Sequence, residues 1–156
     1  MNKYDSAEDT YEHQSIVFNK MYDVIKILKT RAANHDNSKL EFPEKEMFDK
    51  YVPLLKSLQY GSQEYMVALE EMKKTALHHH YENNSHHPEH FNGDMDCMSL
   101  FDIVEMFCDW WAASLRVKDG NIYESLKFQE KRFNMSHQLY MIFVSTVKEL
   151  ERTEFK

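Results

Sequence analysis

The sequence predicts an all-α protein, a single domain over residues 1–156 built as a bundle of five main helices. Three observations carry this expectation. Only three glycines and three prolines occur among 156 residues, so tight turns are few and helices joined by short connections are favoured. Apolar residues recur at helical intervals, as in Val17, Met21, Val24 and Leu28, which are four, three and four apart. The length suits one hydrophobic core that needs no disulfide staples.

The first helix starts with Thr10 as N-cap, or with Asp9 and Glu12 as a variant capping box. It ends in Lys29, Arg31 and Asn34, where basic groups suit the negative end of the helix dipole. His13 falls on the Val17 stripe, where the ordinary role of a histidine is a satisfied core residue. A second helix begins at Pro43 with Glu44 and Glu46 in its first turn and carries Met47, Tyr51, Leu54, Leu55 and Leu58. Pro53 within it predicts a kink or a break into two short helices. Gly61-Ser62 marks a stop and a new N-cap, and a third helix runs through Tyr65, Met66, Leu69, Met72 and Ala76 into a run of histidines. Which of those histidines faces inward stays open. Residues 83–97 have loop chemistry. From Ser99 a fourth helix reads Phe101, Val104, Phe107, Cys108, Trp111 and Leu115, with Asp102 and Glu105 early in it and Asp109 beside Met106, Ala112 and Ala113. Asp119-Gly120-Asn121 ends it. A fifth, long helix carries Leu126, Phe133, Tyr140, Phe143, Val144, Val147 and Leu150, with His137 in a structural role.

Composition narrows the function. The net charge of −7 argues against binding along a nucleic-acid backbone, which calls for a basic surface. No apolar run approaches the roughly 20 residues that span a bilayer, and the start, Met1 to Thr10, is too polar for a signal peptide. Two cysteines, Cys97 and Cys108, make no CxxC pair, which fits a reducing compartment; Cys108 is expected to be a small buried hydrophobe. A soluble cytoplasmic protein is expected, with a homo-oligomer allowed.

The densest chemistry lies in His78-His79-His80-Tyr81-Glu82-Asn83-Asn84-Ser85-His86-His87-Pro88-Glu89-His90, which holds six of the nine histidines. Imidazole is the commonest protein ligand of transition metals. The same density also suits a polar surface turn or an unspecific metal sponge. Upstream, His35-Asp36-Asn37-Ser38-Lys39 sets a nitrogen and a hard oxygen side by side after the first helix. Its bland reading is a cap and turn, since Asp, Asn and Ser favour such places.

Taken in order, His13, His35-Asp36, the histidine tract and Asp109 make the pattern H…HD…H…H…D. This order resembles the HD-domain superfamily of metal-dependent phosphohydrolases, and HDNSK is similar to the HDxGK form of its HD-GYP branch. With HHHYENNSHHPEHF and EMFCDWWAA, the chain looks closest to a small HD-like family common in phage genomes. The resemblance covers residues 10–115. The GYP motif is lacking, which leaves cyclic-di-GMP hydrolysis with little support.

By resemblance, His13, His35, Asp36 and Asp109 would hold one divalent cation. Asp36 would bridge to a second, held by two histidines of the tract, with His80 and His87 favoured. His79, His86 and His90 remain open as ligands, and Glu89 or Asn84 as groups orienting the imidazoles. A neutral-histidine and carboxylate set suits Mn, Fe, Co, Ni or Zn better than Ca. A bound cation lowers the pKa of its water from near 15.7 towards about 7. Lys39 would neutralise phosphate charge, and His86 or His90 would act as general acid. The expected substrate is a small phosphoester, with a nucleotide foremost. Three alternatives stand beside it. One is a mixed-valent di-iron oxygenase of the same superfamily, and another is a non-catalytic metal-binding protein. The third is an HxxEH peptidase at His86-His87-Pro88-Glu89-His90, which Pro88 disfavours because that motif needs a continuous helix.

Overall fold

The structure, a computed structural model, describes residues 5–59, 61–116 and 118–154. The first four residues of the acidic start therefore lie outside the described residues. The chain is all-α, and among the described residues no strand occurs. It divides into two units, Met1–His35 and Asp36–Lys156.

The first unit is one helix, α1 (Ala7–Asn34), with Glu8 and Asp9 in its first turn and Arg31 in its last. It starts three residues before the expected N-cap. No residue of α1 is buried, so the Val17–Leu28 stripe is present but not enclosed.

The second unit carries two cores. α2 (Glu44–Ser57) and α3 (Gln63–Met72) enclose Tyr51, Ala68, Met72 and Ala76. Pro53 sits inside a continuous α2, so no break occurs there. Ser62 caps α3 as expected, its Oγ accepting from Tyr65 N–H at 3.1 Å. α3 then passes through a π turn, Lys73–Leu77, into α4 (His78–Asn83). The buried residues along this rod are Ala68, Met72, Ala76 and His80, spaced by four. On an ideal 3.6-residue helix such spacing drifts by about 40° per step. The wider π turn absorbs part of that drift, which brings His80 onto the buried stripe.

The larger core lies among α5 (Leu100–Leu115), α6 (Ile122–Arg132) and α7 (His137–Glu154). It encloses Met106, Phe107, Trp110, Leu126, Phe143 and Val147. Two findings correct the sequence expectation. The fifth helix is two helices: Asn134 takes a left-handed φ of 48°, which asparagine tolerates, and Ser136 Oγ caps α7 by accepting from Leu139 N–H at 3.2 Å. The inward face of α5 is Met106, Trp110 and Ser114 with Phe107, while Cys108 and Leu115 are exposed. α5 is apolar on nearly every side, so spacing alone does not choose its face. The ring partners do: Phe107 stacks on Phe143 at 5.0 Å and Trp110 on Phe133 at 6.1 Å.

α5 begins with a full capping box, Ser99 Oγ accepting from Asp102 N–H and Asp102 Oδ2 accepting from Ser99 N–H at 2.9 Å. Ser99→Ala is expected to cost about 1 kcal/mol, read as a lower midpoint in urea with an unchanged slope.

Candidate metal centre

Five chain segments of the second unit meet at one polar cluster. Asp36 opens it in the left-handed conformation, φ 57°, one that aspartate adopts more readily than most residues. A 3-10 turn, Asn37–Leu40, follows. It returns Lys39 over Asp36, and Lys39 Nζ lies 2.6 Å from Asp36 Oδ2. α4 supplies His80, the loop after it supplies His86 and His87, α2 supplies Glu44, and α5 supplies Glu105.

The ligand-type atoms converge. Asp36 Oδ1 lies 3.3 Å from His80 Nε2 and 3.4 Å from His86 Nε2. His80 Nε2 lies 2.8 Å from His87 Nε2. One donor atom from each of Asp36, His80, His86 and His87 lies within 4.8 Å of all the others. His80 and His86 are 1% and 2% exposed. Ligands at about 2.0–2.1 Å from a cation sit about 3.4 Å apart in a tetrahedron and about 2.9 Å apart along an octahedral edge. The two separations from Asp36 match the first value, and that between His80 and His87 lies near the second.

The far side of each buried ring is held by an acid. His80 Nδ1 faces Glu44 Oε2 at 2.9 Å, and His86 Nδ1 faces Glu105 Oε1 at 3.2 Å. This is the arrangement that orients metal-bound histidines, because an Nδ1–H given to a carboxylate turns the Nε2 lone pair towards the ion. Glu44 is 0% exposed. It also faces His79 Nδ1 at 2.7 Å and accepts from Ser38 Oγ at 3.0 Å. Asn84 Nδ2 closes the network, donating to Ser38 Oγ at 2.7 Å and to the His80 carbonyl at 2.8 Å.

Electrostatics match the geometry. Burial alone would raise the Asp36 carboxyl, but hydrogen bonds from His80, His86 and Lys39 outweigh it and hold the group far below the usual carboxylate range. Burial, with His86 and His80 beside it, pushes His87 from 6.5 down to about 3. His87 is therefore a neutral ring at physiological pH, ready to give a lone pair. Between pH 3 and 6.5 the unfolded chain binds a proton at this position and the folded chain does not. The metal-free protein is thus expected to lose stability as pH falls from 6.5 towards 3. His87→Asn should flatten part of that slope in denaturant titrations at stepped pH; an identical slope in both proteins refutes the assignment.

Among the sequence-predicted site residues, Asp36, His80, His86 and His87 come together, with Lys39 on Asp36. Asp109 on α5 lies near them, with a carboxylate oxygen within 4.8 Å of an Asp36 oxygen. His35 is the C-cap of α1 and His13 lies on the same helix; both belong to the first unit. His90 stands outside the cluster, exposed, with Nδ1 bonded to the Tyr81 carbonyl at 2.8 Å. Glu89 orients no imidazole but pairs with Arg132 at 2.6 Å. The HxxEH letters cross from the loop into a four-residue 3-10 turn, Pro88–Phe91, so a buried His86 and an exposed His90 do not share the helical face that motif needs. Asn84 does join the network. Sequence reasoning missed Glu44 and Glu105 as partners of the histidines. Glu44 looked like an ordinary first-turn acid, and nothing in its spacing marks it as buried.

A family model covering residues 2–153, described as a family of unknown function (DUF5662), matches this sequence. The chain belongs to the DUF5662 family. No curated protein and no solved structure shows significant similarity to this DUF5662 chain.

Proposed function

We propose that this DUF5662 protein is a metal-dependent phosphohydrolase acting on a small phosphoester, a nucleotide foremost, and that Asp36, His80, His86 and His87 hold its divalent cation. The observation that carries the reading is the convergence of three imidazole nitrogens on one carboxylate, with Glu44 and Glu105 clamping two of the rings from behind. A divalent transition-metal ion would take the place of the ring protons that face Asp36 and hold the three nitrogens and the carboxylate together.

When bound, such a cation supplies Lewis acidity towards a phosphoryl oxygen and acidifies a water molecule. The chain's own groups supply the rest. Lys39, partly exposed beside Asp36, offers positive charge to a substrate phosphate. His79, half-exposed and joined to His80 through Glu44, gives a proton path between the buried rings and solvent. That role moves the general acid from His86 or His90 to His79, which reaches solvent and holds no proposed ion.

Phosphate release from a panel of ribo- and deoxyribonucleotide mono-, di- and triphosphates, with manganese, cobalt or iron added, tests the proposal. Release that depends on the metal is the expected result. A protein that binds metal tightly yet releases no phosphate from any member with any metal refutes the enzyme reading and leaves a metal-binding protein.

A further inference from the structure

We propose that Asp102 is a positioning residue of the metal centre, fixing through Ser85 the backbone from which His86 and His87 reach the cation. The proposal rests on the metal reading of that centre and adds to it a residue that acts through another.

Asp102 is 6% exposed, although it stands in the first turn of α5 and acids are seldom buried unless paired. Its carboxylate serves two elements at once. Oδ2 accepts from Ser99 N–H at 2.9 Å and from Ser99 Oγ at 2.6 Å, which belongs to the capping of α5. Oδ1 accepts from Ser85 Oγ at 2.5 Å, and Ser85 lies in the loop between α4 and the Pro88–Phe91 turn. Capping accounts for the first oxygen and not for the second. The glutamate or glutamine usual at this third helical position would satisfy a cap as well, and a cap needs no burial. The shorter aspartate instead turns one oxygen to a residue 17 positions back in the chain.

The loop held in this way carries two of the four converging donors. Asp102 and Glu105 are three apart on α5 and share a face. They meet consecutive residues of the loop, Asp102 taking Ser85 while Glu105 Oε1 lies 3.2 Å from His86 Nδ1. The two contacts divide the task. Glu105 sets the rotation of the His86 ring, and Ser85 sets where the backbone of that ring begins. With both fixed, so is Nε2, the atom that faces Asp36 Oδ1 at 3.4 Å. His87 follows directly in the chain, so the same anchor places it. On the other side of Ser85, Asn84 bonds Ser38 Oγ and the His80 carbonyl. Metal donors need placement within about 0.5 Å, and loops hold it less well than helices. Asp102 lends this loop the rigidity of α5.

The test compares Ser85→Ala with Ser99→Ala in the full chain, with cobalt(II) as the probe. Each variant removes one hydroxyl donor from the same carboxylate, so both should melt lower than wild type in chelator. Only Ser85→Ala should also weaken cobalt binding, by about 10–100-fold, the range for partners that orient metal ligands. It should also alter the visible absorption that reports the geometry around cobalt. Ser85→Thr keeps the hydroxyl and should restore both affinity and spectrum. Equal loss of affinity in the two alanine variants assigns Asp102 to capping alone and overturns the proposal, as does unchanged affinity in Ser85→Ala. A wild type that binds no cobalt, zinc or manganese refutes the metal reading instead. Positioning is then read without an ion, from nitrogen-15 spectra of the His86 ring, which Ser85→Ala should shift and Ser99→Ala should leave unchanged. His86 signals alike in wild type and Ser85→Ala overturn it.

Discussion

Asp36→Ala is expected to weaken divalent-cation binding by at least about a hundredfold and to abolish phosphate release, while the helical spectrum survives. Asp36 is the one carboxylate among the four converging donors, and its Oδ1 faces both buried imidazoles at 3.3 and 3.4 Å. Without it three neutral nitrogens remain, with no negative charge to offset the cation's lost hydration. Metal-site partners that merely orient a ligand already cost 10–100-fold when removed, so loss of a ligand should exceed that range. Asp36 also occupies a left-handed conformation, which costs alanine about 1–2 kcal/mol. Asp36→Asn is the matched control, because asparagine tolerates that backbone and keeps the shape while losing the charge. Both variants should lose the metal in calorimetric titration and melt lower, since each removes the charge that His80, His86 and Lys39 surround, and the alanine variant should melt lowest. Wild-type affinity in Asp36→Asn would remove Asp36 from the ligand set.

The second large effect is expected at Glu44, a residue that touches no proposed ion. Its carboxyl group is 0% exposed and meets His80 at 2.9 Å, His79 at 2.7 Å and Ser38 at 3.0 Å. Glu44→Gln keeps the volume but turns one of two acceptor oxygens into a donor. It should weaken metal binding 10–100-fold through the misoriented His80. Glu44→Ala removes the buried partner altogether. Breaking a buried pair from one side costs about 3–5 kcal/mol, read as a fall in the unfolding midpoint even in chelator. If Glu44→Ala melted like wild type, the network would be an incidental contact and the orientation of His80 would need another source.

Much of the fold can be read without the structure. The caps at Ser62 and Ser99 act where their chemistry predicts, because a short side chain reaching its own backbone is a local event; Asn121, expected to end α5, instead caps the start of α6, and α5 stops earlier, at Leu115. The split between α6 and α7 was also written locally, in Asn134 and Ser136, but an apolar stripe running through both helices hides it. The face of α5 was not legible. An almost wholly apolar helix satisfies several orientations, and the stacking of Phe107 on Phe143 selects one.

The candidate centre divides the same way. The sequence by itself determined the kind of chemistry: a histidine tract, an aspartate beside a lysine three residues on, and an acidic chain with few turns are properties of residue type and spacing. Only the tertiary structure decided which histidines serve. His80 turns inward because a π turn shifts the register of the rod that carries it, and His78 beside it stays exposed. Glu44 and Glu105 become partners of the rings because α2 and α5 bring them there across 36 and 19 residues of chain. Burial and long-range pairing depend on which surfaces meet, and local spacing does not encode that meeting.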